Sequence, residues 1–318
     1  MENFSKHFNL PIQGHQDIAF VDIPIDTDVE LFLDPTLIET GGGSFSEWCA
    51  TGISSFFGAV FQACADRDKD ALEGLLAHSG EPNESHLGLS VRQSKGRGAS
   101  VDILLPVFEG LMRQGLFERG VITSPNDVCV LAPNFDQDRM SDLLTNILRN
   151  QLSEFTVAQC EKYGLPMDGI RQGYCWEESN STWRPRKWRC PTAYGKPVLL
   201  VPKGFVGRSY HLGVESYISQ HLLSYLQEQH LFNRSNMCHR RELKDGREKW
   251  MPPTKAELRR TELTGAPQKH FVMDFAGKHP ETLPQFNQTR EKRFRESSFA
   301  LSNQELDRLL YAGQRKYV

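Results

Sequence analysis

Asp138 and Asp142 stand four residues apart in Asp136-Gln-Asp-Arg-Met-Ser-Asp-Leu-Leu-Thr-Asn-Ile147, a spacing that sets both carboxylates on one side of a helix. Short carboxylates held this way suit a hard divalent cation, which takes a few carboxylate oxygens and keeps water or a phosphate in its other positions. Asp34 ends the apolar run Leu31-Phe-Leu33, and Lys203 ends Pro197-Val-Leu-Leu-Val-Pro202. Asp34, Asp138 and Asp142 as ligands of Mg or Mn, with Lys203 on the phosphate, form a candidate set for metal-dependent phosphodiester cleavage.

Each of these residues also has an ordinary structural role. Asp136 or Asp138 suits a helix N-terminus, Asp34-Pro35 a strand-to-turn transition, and Lys203 a solvated strand end. A nuclease of the restriction type places an acidic residue two positions before its lysine, where this chain has Val201. The one Glu-x-Lys, Glu242-Leu-Lys244, falls in a charged region instead of an aliphatic strand.

The helix that carries Asp138 and Asp142 has an unusual polar side. Met140, Leu143, Leu144 and Ile147 share one face, with Asp138, Asp142, Thr145, Asn146, Arg149 and Ser153 opposite. Leu152 intrudes on the polar edge. Solvated helix faces favour Lys, Glu, Gln and Ala, whereas Asp, Asn, Thr and Ser are poorer helix formers. The pattern therefore predicts a polar pocket containing Asn146 and Arg149, or a structural polar network. A glycine-bearing basic loop, Arg92 to Ser100, precedes a helix start at Val101 and offers Lys95 and Arg97 to a phosphate. It lacks the GxxxxGK[ST] order, and a plain surface loop is the competing reading.

The elements that must position these groups read as a mixed fold, α/β or α+β, with a small sheet covered by several helices. The alternating runs 17–24 and 29–34 predict an early hairpin, and 197–202 predicts a buried strand of the same sheet. Helices are expected near 46–65, 68–78, 101–117, 138–162 and 215–230, with Gly164 as a stop and Ser302-Asn-Gln-Glu305 as a capping box. Residues 170–183 predict a second hairpin, and 184–197 an irregular link.

At 318 residues the chain can bury a large core, and the net charge is −3. Residues 240–318 hold 17 Lys and Arg against 11 Asp and Glu, leaving −9 for the remainder. This divides the chain into a main α/β module, 1–235, and a basic, mostly helical segment, 236–318, that offers a surface to nucleic acid or to its own ion pairs. Seven scattered cysteines without a CxxC predict reduced, buried thiols, not zinc or disulfides. No GxSxG or HExxH occurs. No apolar run of membrane length and no secretion signal stand out, so the expectation is a cytoplasmic protein with no membrane association.

Leu31-Phe-Leu-Asp-Pro-Thr-Leu-Ile38, Asp138-Arg-Met-Ser-Asp-Leu-Leu-Thr-Asn-Ile147 and Pro197-Val-Leu-Leu-Val-Pro-Lys203, in this order, resemble a group of uncharacterised bacterial proteins of mobile elements and defence islands. Longer members of the group carry a C-terminal restriction-like nuclease domain. The resemblance covers roughly 15–205 and transfers no catalytic role. It implies that this chain corresponds to the shared front module, with chemistry in the part it lacks. The leading expectation is a recognition or assembly component of antiphage or anti-foreign-DNA defence, with a protein partner or as a homo-oligomer. The alternative is the metal-dependent phosphodiesterase.

Overall fold

The computed structural model describes residues 2–89, 101–209, 213–263, 268–296 and 299–311. The front half comprises α1 (Phe4–His7), β1 (Phe32–Leu33), α2 (Pro35–Thr40), α3 (Gly43–Ala65), α4 (Lys69–Leu76), α5 (Val101–Arg113), α6 (Pro125–Leu131), α7 (Gln137–Ile147) and α8 (Arg149–Tyr163). It continues with β2 (Gly169–Glu177), β3 (Thr182–Cys190), β4 (Thr192–Ala193), β5 (Lys196–Pro197) and β6 (Val206–Gly207). α9 (Val214–Tyr217) runs through a π turn into α10 (Leu223–Asn233). Then come β7 (His239–Glu242), β8 (Glu248–Met251), α11 (Lys255–Thr261), α12 (Gln268–Lys278), α13 (Thr282–Glu296) and α14 (Asn303–Tyr311).

The fold is α+β, and among the described residues strands occur only in two-stranded antiparallel sheets: β1–β6, β2–β3, β4–β5 and β7–β8. The early hairpin expected from 17–24 and 29–34 does not form. Phe20 to Ile23 are all buried, Asp22 included, so the stretch lacks the solvated side that its alternation implied. It lies instead against 201–203: Phe20 bridges Pro202, Val21 N–H donates to Val201 O (2.9 Å), and Lys203 N–H to Ala19 O (3.1 Å).

Residues 198–202 of the 197–202 run are buried as expected, but the run joins no ladder beyond Pro197. Val198 N–H donates to Pro191 O, Leu199 N–H to Glu84 O, and Leu200 N–H to the Thr156 hydroxyl (2.9 Å). Residues 184–190, expected as a link, are the second strand of a hairpin whose register runs from Gly169↔Cys190 to Glu177↔Thr182. Pro185 is tolerated there because β3 is an edge strand, where no N–H is needed on its outer side.

The expected helix 138–162 breaks at Leu148 (φ −87°, ψ 9°). The break resets the helical phase, so Leu152, misplaced on a continuous wheel, is fully buried. Gly164, at φ 64°, ends α8 as a left-handed C-cap, and Ser302 and Glu305 form the predicted reciprocal cap of α14.

α3 departs from the composition reading: its 23 residues are long and apolar enough to cross a membrane by length and composition alone. Its Ile53, Phe56, Phe57 and Val60 pack into the core. That core also takes Leu258, Phe275, Leu283 and Leu310 from the basic C-terminal segment.

Thr156→Val keeps the shape of the side chain and strands the Leu200 N–H inside the protein. Urea unfolding should show a loss of about 1–3 kcal/mol; an unchanged midpoint would mean that the N–H has another partner.

Candidate functional site

The polar side of α7 and α8 faces inward. Ser141, Thr145, Asn146, Arg149, Ser153 and Thr156 are buried, and the short side chains that make poor helix formers are spent on backbone. Ser141 Oγ accepts from Leu33 N–H (3.0 Å), and Thr145 donates to Ser141 O. Asn146 Nδ2 donates to Gly80 O (2.6 Å) and Asp142 O (2.8 Å), while its Oδ1 accepts from Arg149.

Arg149 forms a buried ion pair with Glu84 and lies 5.8 Å from the ring centre of Trp188 in β3. Burial pulls its guanidinium down to about 10, still charged at neutral pH. Asn146 and Arg149 thus come together as expected, in a filled network that ties the 80–84 segment to α8. Two surface concavities, of about 510 and 430 Å³, are lined by none of the sequence-predicted residues.

Asp138 and Asp142 also come together, at the outer, half-buried end of the same side. Asp28 and Glu81 join them from segments distant in sequence. Desolvation first, then repulsion from Asp138, Glu81 and Asp28, pushes Asp142 up to about 8; Asp28 rises to about 6 through burial, Glu81 and Asp138. Asp138 is raised by burial and Asp136. Gly88, at φ 131°, lets the chain pass close by: a Cβ there would lie 3.1 Å from Asp138 Oδ1. Backbone at that φ is open to glycine and strained for any residue with a Cβ, and glycine alone leaves the room.

The other two members of the expected metal set are engaged in contacts of their own. Asp34 caps α2, its Oδ1 accepting from Thr36 N–H (2.8 Å) ahead of Pro35 at the first helical position. Lys203 donates to His15 O (2.5 Å), and the charges that bear on it are Asp307 and Asp17. Asp142 feels Asp138, Glu81, Asp28 and Arg139, a set with no member in common with that of Lys203. Among the described residues no three His, Cys, Asp or Glu are grouped to hold a metal ion. Lys95 and Arg97 lie outside the described residues.

Lys203 belongs to a latch that closes the chain on itself. His15 Nδ1 donates to Asp307 of α14 (2.7 Å), because its Nε2 accepts from Asp22 N–H (3.1 Å). The Asp22 carboxylate accepts from Ser5 N–H, Ser5 Oγ and the Tyr311 hydroxyl. All seven cysteines are free; burial pushes Cys49 and Cys64 to about 12 and Cys160 to about 11, so these remain thiols. Sequence reasoning missed Asp28, Glu81, Glu84, His15 and Asp307, since four of them are single residues in loops and Asp307, on α14, meets a partner far away in sequence.

Residues 9–212 match the pattern of one protein family, described as a domain of unknown function. The chain is a member of DUF8370. No curated protein and no solved structure matches this DUF8370 chain. The matched span includes Asp34, the α7–α8 side and Lys203, and stops before α14.

Two measurements probe the site. Asp142 and Asp28 hold protons to higher pH folded than unfolded, so the folded state binds more protons from the ordinary carboxylate range up to about pH 8. Stability therefore falls as pH rises through that window. Asp142→Asn should raise Tm by roughly 2 °C or more above pH 8 and change it little near pH 4; an equal shift at both would refute the coupling. Arg149→Ala, which leaves Glu84 buried alone, should cost about 3–5 kcal/mol in urea unfolding. Adding Glu84→Leu should restore part of that loss, whereas strictly additive losses would deny the pairing.

Proposed function

We propose that this DUF8370 chain is a cytoplasmic recognition or assembly component of a bacterial system acting against phage or foreign DNA, with a separate protein as its effector. The observation that carries this reading is the engagement of Lys203 Nζ by His15 O, beside the His15, Asp22 and Asp307 hydrogen bonds. A lysine that stabilises a developing phosphate charge must act beside the metal that holds the phosphate; here Lys203 serves the latch instead. Asp34 serves a helix cap, and Asn146 with Arg149 serves a buried network. The defence context rests on the three motifs in their order.

The metal-dependent phosphodiesterase keeps one supporting observation. The carboxyls of Asp28, Glu81, Asp138 and Asp142 repel one another, and a divalent cation would relieve that repulsion.

Affinity purification of the tagged chain from its native host, with mass spectrometry and native mass measurement, separates the readings. The assembly reading expects a reproducible co-purifying protein or a defined oligomer, and a monomer without partner would sink it. Millimolar Mg²⁺ or Mn²⁺ that raises Tm and supports nucleic-acid cleavage, both lost in Asp142→Asn, would replace it with the enzyme.

A further inference from the structure

Arg184-Pro-Arg-Lys-Trp-Arg189, four cations in six residues with no carboxylate among them, lies on β3 and not in the basic tail. With Arg171 on β2 it gives the β2–β3 ribbon five exposed cations. Its carboxylates, Glu177 and Glu178, sit together at the tip, where Glu177 pairs with Arg184. Arg171, Arg186, Lys187 and Arg189 make no ion pair among the described residues; Arg186 donates to Asn150 Oδ1 (3.0 Å) and Arg189 to Met167 O. The tail differs: on its hairpin Arg240 pairs with Glu248 and Arg247 with Asp245.

Alternation divides the ribbon. One face turns Trp188, Arg186 and Cys175 toward α8, where Arg149 and Asn150 hold it. On the other face, Trp176 and Trp183 pack on Phe56 of α3 near the tip, and Tyr174 stacks on His78 at 3.7 Å. Away from the tip that second face is bare among the described residues. It presents the cross-strand pairs Ile170↔Arg189 and Gln172↔Lys187, and Ile170 is 76 % exposed. The ribbon is thus clamped on both sides at one half and open at the other, a rigid support for a recognition surface.

We propose that this bare face docks in the major groove of double-stranded DNA. A two-stranded ribbon fits a groove about 12 Å wide, with strands about 4.8 Å apart plus their side chains. Gln172, Lys187 and Arg189 are the side-chain types that read base edges there, and Ile170 is suited to a thymine methyl. Arg171 and Arg186 belong to the opposite face, where Asn150 holds Arg186, so the bare face makes its contacts through Ile170, Gln172, Lys187 and Arg189 alone. A single strand is disfavoured because stacking platforms are lacking: Trp176 and Trp183 are buried, and one side of Tyr174 is covered by His78. An RNA duplex is disfavoured because its major groove is too narrow to enter. The proposal deepens the recognition reading by naming the ligand of that recognition.

The test is fluorescence anisotropy of the full chain with a labelled duplex of mixed sequence, competed with single-stranded DNA and with duplex RNA. Lys187→Ala with Arg189→Ala should weaken duplex DNA binding at least about tenfold and lessen its dependence on salt. Arg241→Ala with Lys249→Ala removes the same charge from the β7–β8 hairpin and should stay within about twofold. Lys187→Gln with Arg189→Gln preserves side-chain length should the alanine pair fail to fold. Absent duplex binding, an equal loss in the β7–β8 control, or stronger competition by single strands or duplex RNA would overturn the proposal. Failure here with a captured protein partner would leave the assembly reading standing; ribbon-dependent binding without any partner or oligomer would sink that reading alone.

Discussion

Buried backbone without a sheet to pair it is the constraint on which this structure depends. Residues 20–23, 31–34 and 198–202 run through the interior, with the turn-containing 80–88 segment beside them, yet among the described residues the sheets are only two strands wide. An unpaired N–H or C=O in that setting costs as much as a lost hydrogen bond. The polar side of α7 and α8 supplies the missing partners: Ser141 for Leu33, Asn146 for Gly80, Thr156 for Leu200. Helix propensity is given up locally to satisfy backbone elsewhere, which explains why Asp, Asn, Thr and Ser crowd one helix face.

Charge inside the fold follows from that arrangement. The 80–84 segment brings Glu84 inward, and Arg149 answers it; the same segment brings Glu81 beside Asp28, Asp138 and Asp142, where Arg139 opposes them. The first meeting is compensated and structural, whereas the second leaves half-buried carboxyls protonated above their usual range. At the far end, Asp22, His15, Asp307 and Tyr311 fasten α14 to the N-terminal segment, and Lys203 closes the latch from the 198–203 run. The ends of the chain are therefore linked through polar groups, as well as through Leu306 and Leu310 in the core.

Residue types that suggest chemistry are consequently spent on the interior, and the outward face of the molecule carries a different signal. The ribbon β2–β3 owes its rigidity to the interior it is clamped against: Arg149, the partner of Glu84, also lies over Trp188. The network that fixes the extended segments thus also fixes the surface that faces outward.

Periodicity by itself determined α4, α8 with its Gly164 stop, the cap of α14 and the apolar side of α7, because each is set by neighbours within a turn or two. The union of Asp138 with Asp142, and of Asn146 with Arg149, was also legible, since helical spacing fixes which side chains share a face. What only the tertiary structure decided is which way that face points and what meets it. Asp28, Glu81 and Glu84 reach that face from loops where spacing carries no information, and His15 and Asp307 meet in the latch across nearly the whole length of the chain. The run 184–189 read as a link because Pro185 argues against a strand, and only pairing with β2 made it one. Aspartates and lysines look alike in sequence whether they bind a ligand or satisfy a backbone; the difference lies in burial and partners, which depend on the whole chain having folded.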